Sequence, residues 1–314
     1  MNIPEMPWGV TLWLDLWCVG IASGAFLNAF VINKLSSGKK ENLFRLSVVT
    51  GLIFAFIGVI LLLSHLGNIL WFWHMFVTFR PQSVLSLGGW ILTLWLTVAG
   101  VMAVAWIIEK YVNAKNTVRK INGVLSWVEF TLSILLITYG GVLIATTSQP
   151  LWANTLLLPS LFIGSALCTS MAWLIILGFI LNWLYKKQIK PFNWLITRFT
   201  ETEDYQVEGI TISKLATSLA IYLMIEIVVL ILFMVWLWVS AGPAFTQLVS
   251  GEMAVYFWAG LVIVGLVLPL LLLGVDRWKN KLARITPALL LSSATLAFVG
   301  GLILRAVLLV SAQL

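Results

Sequence analysis

The chain has 314 residues, of which 61% are hydrophobic and 10% charged, with a mean hydropathy of +1.02. Soluble domains carry about 45–50% apolar and about 25% charged residues, so this composition excludes a soluble globular enzyme, a nucleic-acid-binding domain and a disordered chain. The net charge of +7 is spread over loops and marks orientation rather than a polyanion-binding patch.

A helix that crosses the hydrocarbon core needs about 20 mostly apolar residues. In chain order such runs occupy Trp8–Asn33, Leu46–Leu70, Val84–Ile108, Ile121–Thr147, Leu156–Leu184, Ile212–Ser240, Met253–Gly274 and Ile285–Val310. Open strands leave backbone groups unsatisfied in lipid, and the runs lack the alternation of a barrel. The sequence therefore predicts an all-α membrane protein of eight transmembrane helices. Met1–Pro7 contains no Lys or Arg, which argues against a cleaved signal peptide.

Basic residues set the expected topology. Lys34–Arg45, Glu109–Lys120 and Asp276–Arg284 hold four Lys/Arg each, and Tyr185–Lys214 holds five. The opposite side has Arg80 alone, and Arg305 falls within the last span. By the excess of basic residues in cytoplasmic loops, both termini are expected outside. The loop 185–210 mixes four basic with four acidic residues and is long enough for an amphipathic surface helix. It divides the chain into residues 1–184, a first four-helix bundle from spans one to four together with span five, and residues 211–314, whose spans six to eight complete a second bundle. Gly20, Gly24 and Asn28 recur every four residues on span one, a spacing that lets backbones approach. Gly140–Gly141 and Gly300–Gly301 suit the same purpose. Trp8, Trp71, Trp73, Trp90 and Trp152 fall near span ends and read as interface anchors.

Ionisable side chains at membrane depth are costly, so each is a functional candidate. They are Asp15, His65, Glu129, Glu226 and Arg305, with Tyr139 as a neighbouring phenol. At about 1.5 Å rise per residue, Asp15, His65, Tyr139 and Arg305 share the outer level. Glu129 lies about 15 Å deeper than Tyr139 on one helix, and Glu226 lies near mid-membrane. Arg305 at that level reads as a side chain snorkelling to the outer headgroups. His65 and His74 are nine residues apart and point to opposite faces of a continuous helix, so bis-histidine haem ligation is not expected. Cys18 and Cys168 are too few for an iron–sulfur cluster. No metal site is expected in the chain.

Four stretches carry a resemblance: DLWCVGIASGAFLNAF in span one, SHLGNILWFWHMFVTFRPQSVLSLGGWIL in the second span and its exit, TYGGVLIATTSQPLWAN in span four and the next loop, and LLPSLFIGSALCTSMA opening span five. In order, over Asp15–Ala172, they resemble the NrfD/PsrC-like family, the membrane subunits of polysulfide-reductase-type respiratory complexes. The resemblance implies a haem-free, quinone-reactive subunit of a prokaryotic cytoplasmic (inner) membrane. It implies electron exchange with a ferredoxin-like iron–sulfur subunit and a molybdopterin catalytic subunit on the outer face. Tyr139 falls at the family tyrosine that contacts the quinone. Asp15 stands where the polysulfide reductase subunit has a histidine, and His65 where many members have an acidic residue.

The expected chemistry is exchange of electrons with menaquinol or ubiquinol at an outer site, with Tyr139 holding one ring oxygen and Asp15 or His65 taking a proton. Glu129 and Glu226 are candidates for a proton path toward the cytoplasm. A secondary transporter is the alternative from another class, although Pro269 is the only proline in mid-span and the halves do not visibly repeat. A structural anchor without a quinone site is the third reading.

Overall fold

The computed structural model describes residues 9–64, 79–111, 115–147, 151–152, 155–279 and 286–313, without the side chains of 276–279. Among these residues there is no strand, and eight helices are long and apolar enough to cross a membrane. They are α1 (Val10–Leu35), α2 (Glu41–Ser64), α3 (Val84–Glu109), α4 (Lys115–Ala145), α5 (Leu157–Lys187), α7 (Gly209–Ser240), the continuous segment Tyr256–Val275, and α10 (Pro287–Ser311). Two short helices, α6 (Lys190–Phe199) and α8 (Gly242–Ser250), lie between spans. The expected second span runs past Ser64 into residues outside those described, and so do His65, His74, Trp8, Trp71 and Trp73.

Helix α1 is the hub. It packs against α2, α4, α5 and α10, and it is the most buried of the eight spans. Its small residues explain this. A Cβ on Gly24 would lie 2.4 Å from Ser170 Oγ and 2.8 Å from the Ala166 carbonyl, so the α5 backbone sits where a side chain would be. Asn28, one turn on, donates to Leu167 O at 3.1 Å and to Ser170 Oγ at 2.9 Å, and it accepts from Tyr222 Oη of α7 at 3.0 Å. The four-residue stripe is therefore a packing seam, as its spacing predicts. Gly141 of α4 meets Pro159 of α5 in the same way, with a Cβ position 2.4 Å from Pro159 Cα. The outward faces remain apolar, as on Phe56, Ile60 and Trp238, which suits a lipid surround.

Ion pairs bring three of the basic loops to one end of the molecule. Lys40 Nζ meets Glu208 at 2.8 Å, and Arg119 pairs with Glu201. Glu208 is held below the ordinary carboxylate range by the hydrogen bond and charge of Lys40. This tie is therefore complete above about pH 4.5 and lost as pH falls through the lower folded value. Arg45 is buried and bonds Glu41 at 3.0 Å and Glu109 at 2.9 Å, with its guanidinium over Trp106. Burial together with the charges of Arg45 and Arg198 lowers the Lys110 ammonium's pKa. Helix α6 is amphipathic, as anticipated for this loop: Ile196 points inward while Phe192, Trp194 and Leu195 are exposed.

The seventh span differs from expectation. Tyr256–Val267 is a π-helix that passes directly into α9 (Leu268–Lys279). Pro269 has no N–H to donate to the Gly265 carbonyl, so an α-helical ladder cannot continue through this point unbroken. The wider register ends two residues before Pro269 and places Gly265 against Gly300 of α10, where a Cβ on Gly300 would lie 2.5 Å from Gly265 Cα. Trp152 is also reassigned. It is fully buried, and its indole donates to Leu308 O at 2.9 Å, tying the loop after α4 to α10 rather than anchoring at an interface. Trp90 is half-buried with its ring edge-to-face on Phe79.

Candidate functional site

Asp15 of α1, Tyr139 of α4 and Arg305 of α10 line one cavity, at the end of the molecule opposite the ion-paired loops. Its walls are otherwise apolar, with Leu12, Leu16, Leu92, Leu136, Ile137 and Phe162 among them. Its empty space is about 660 Å³ with the mouth included, of which about 40 Å³ is open to water. That is room for a few waters.

Each polar group is set by a glycine on another helix. Gly88 of α3 makes room for the Tyr139 ring, since a Cβ there would fall 1.9 Å from Tyr139 Cζ. Gly58 of α2 does the same for Asp15, with a Cβ position 2.8 Å from Oδ1. Asp15 is buried, and its Oδ1 has no hydrogen-bond partner among the described residues. A buried carboxylate oxygen without a partner costs free energy comparable to a lost charged hydrogen bond, about 1–3 kcal/mol or more. His65, the third expected member, lies outside the described residues.

Arg305 corrects its expected place. It is 1% exposed and does not snorkel. Its Nη1 donates to Gly301 O at 2.7 Å and to Ser165 Oγ at 3.3 Å, and its guanidinium stacks over Phe162. Gly20 leaves space for Nη2, to which a Cβ would come within 2.8 Å. Depth alone gave no sign of this, because the direction a side chain takes around its helix depends on neighbours drawn from α1 and α5.

The two deeper carboxylates have separate surroundings. Glu226 of α7 is buried against α5, facing the Ser165 hydroxyl and the Cys168 thiol, and it acts electrostatically on Arg305. Glu129 of α4 is fully buried with both oxygens unpartnered among the described residues. On its helix face Asn122, Ser126 and Ser133 are also buried; Ser133 Oγ accepts from Trp95 Nε1 at 2.8 Å. Asn122 and Ser126 line a second, polar cavity of about 520 Å³, together with Asn33, Arg45, Glu109 and Arg119.

An apolar groove of about 300 Å³ runs between α2 and α3, lined by Phe56, Val59, Leu63 and Leu96. It shares Leu62, Gly89 and Leu92 with the first cavity.

Comparison with known proteins gives a consistent result. The chain is 24% identical over 290 residues to the "Protein NrfD homolog" of Haemophilus influenzae, covering 86% of this chain and 84% of that protein. It is 25% identical over 335 aligned positions to the "Protein NrfD" of Escherichia coli, covering 100% of this chain and 97% of that protein. The family profile described as "Polysulphide reductase, NrfD" matches residues 2–314. That match extends the resemblance beyond Ala172 to nearly the whole sequence, and with it the chain, an integral membrane protein of eight candidate spans, belongs to the NrfD family.

Proposed function

We propose that this chain is the quinone-reactive membrane subunit of a respiratory oxidoreductase in a prokaryotic inner membrane. It exchanges electrons between a quinol and an iron–sulfur partner that serves a molybdopterin subunit on the outer face. The observation that carries the reading is the union of a donor–acceptor cavity with an apolar groove: Asp15, Tyr139 and Arg305 line the first, and the second opens between α2 and α3 on the exposed flank of Phe56 and Ile60. A lipid-soluble quinone has both parts, a ring with two polar oxygens and an apolar tail. The ring fits the chemistry of the walls, with the Tyr139 phenol as donor and Asp15 as proton acceptor. Its entry displaces leucine side chains at the mouth, such as Leu62 and Leu85, because the space present admits only a few waters.

On quinol oxidation the ring gives up two protons and two electrons. Tyr139 holds one oxygen, Asp15 takes one proton and water at the mouth of the site takes the other, while both electrons pass to the iron–sulfur partner; a general base within reach typically contributes 10²–10⁴-fold. Tyr139→Phe and Asp15→Asn are therefore expected to lower oxidation of a quinol analogue against a dye acceptor by at least about tenfold, with the complex still assembled. Full turnover in both variants sinks the assignment and leaves a structural anchor. A chain that purifies without iron–sulfur partners and oxidises nothing points to a transporter instead.

A second reading concerns protons. Glu129 stands one turn from Ser126, which borders the polar cavity at the end of the paired basic loops, and it has no hydrogen-bond partner among the described residues. This supports a route from that cavity through Asn122 and Ser126 to Glu129. Glu226, paired with Ser165 and Cys168 and close to Arg305, belongs to a separate branch. In liposomes, Glu129→Gln is expected to reduce the protons moved per quinol oxidised, and Glu226→Gln tests the other branch. A stoichiometry unchanged from the parent removes the altered residue from the route.

A further inference from the structure

The groups that hold Arg305 leave one of its donors unused. Nη1 is taken by Gly301 O and Ser165 Oγ, and the guanidinium carbon lies 5.6 Å from the centre of the Phe162 ring. Nε has no partner among the described residues, although the side chain is 1% exposed and lines the cavity that also holds Asp15 and Tyr139. A buried cation with an unsatisfied donor is costly unless something completes its shell. The charge of Glu226 offsets that of Arg305 but does not satisfy Nε, and the chain gives up a side chain at Gly20 to accommodate Nη2.

We infer that Arg305 is a binding residue of the outer cavity, its unpartnered Nε–H donating to an acceptor oxygen of the bound head group once that group displaces the packing that now covers it. This rests on the quinone reading above and deepens it by adding a fixed positive charge to the site. A guanidinium presents several donors in a rigid fork and stays charged at all working pH values. It can therefore grip the protein with one nitrogen and the ligand with another. The charge also favours ligand states that carry negative charge on oxygen, because pre-oriented donors in a water-poor site act strongly on such groups. Glu226, linked to Arg305 across the shared Ser165 hydroxyl, is its counter-charge in the second half of the chain. Arg305 thus joins the cavity formed by α1 and α4 to helices α5 and α7.

The test measures binding apart from turnover. The intact complex, purified in mild detergent, is titrated with the fluorescent quinol analogue 2-n-heptyl-4-hydroxyquinoline N-oxide, and quenching gives its Kd. Arg305→Met is expected to weaken binding by roughly 10- to 100-fold, the range for losing a hydrogen bond from a charged donor. Arg305→Lys is expected to fall between Met and the parent, because one ammonium cannot grip Gly301 and also reach the ligand. Parent-like affinity in assembled Arg305→Met, with or without a fall in thermal stability, overturns the inference and leaves Arg305 as a tie between helices. Should the Met variant fail to assemble, unchanged affinity in assembled Arg305→Lys overturns it equally. Tyr139→Phe in the same titration separates the two levels. If it weakens binding while the Arg305 variants do not, the quinone reading stands without Arg305; if none of the variants weakens binding, both fall.

Discussion

Gly88→Ala is expected to abolish most quinol-driven electron transfer without preventing assembly. The methyl group would sit 1.9 Å from Tyr139 Cζ and 2.1 Å from Cε2, far inside van der Waals contact, so the ring must leave its position. Displacing a positioned group by about 1 Å can cost about 100-fold in rate. The expected fall is about 10- to 100-fold in turnover, matching that of Tyr139→Phe, because the two substitutions remove the same hydroxyl from the same place. Gly100→Ala provides the control: it lies on the same helix, and its Cβ meets nothing within 4 Å. Alanine there should leave turnover intact and favour the helix slightly, since glycine costs about 1 kcal/mol relative to alanine in a helix interior. The measurement is quinol-analogue oxidation by purified complex. Activity within twofold of the parent for Gly88→Ala would show that the phenol is not where the chemistry needs it.

The second large effect is on folding. Gly300→Val is expected to prevent stable assembly of the last two spans. A Cβ at Gly300 would lie 2.5 Å from Gly265 Cα and 2.9 Å from Gly265 O. Both are backbone atoms, so no rotamer change relieves the contact. The π-helical segment and α10 would have to separate, opening the close approach of Gly260 to Ile303 as well as that of Gly265 to Gly300. Overpacking typically costs about 1–3 kcal/mol when side chains can adjust, and a backbone clash exceeds that range. In a membrane, where tight van der Waals contact is a main source of helix association, the loss has few compensations. The valine variant should appear in the aggregate fraction on size exclusion, with Gly300→Ala intermediate. Gly274→Ala, whose Cβ meets nothing within 4 Å, should remain monodisperse. A Gly300→Val protein that is equally monodisperse and heat-resistant would mean that this crossing does not hold the fold together.

These outcomes trace to different kinds of information. The eight spans were legible because the length and apolarity needed to cross lipid are local properties of the chain. For the loop 185–210 the length of the chain showed only that a surface helix has room there; its place at Lys190–Phe199 came from the structure. Asp15 and Tyr139 could be placed at one depth by counting residues along their helices. Depth is a one-dimensional quantity that rise per residue supplies.

Rotation around the helix axis is not. Arg305 shares a depth with Asp15 and Tyr139, yet it turns inward only because Gly20, Ser165 and Phe162 from α1 and α5 shape a place for it. Trp152 stands at a span end like an anchor and is instead buried, because Leu308 O on a helix more than 150 residues away accepts its N–H. Glu129 and Glu226 look alike in sequence and have different neighbours, one without hydrogen-bond partners among the described residues and one facing Ser165, Cys168 and the Arg305 charge. The sequence by itself determined which segments cross the membrane and which polar groups lie at which level, because hydrophobicity and rise act along the chain. Only the tertiary structure decided which of those groups face one another, because that depends on where glycines on one helix leave room for the side chains of another.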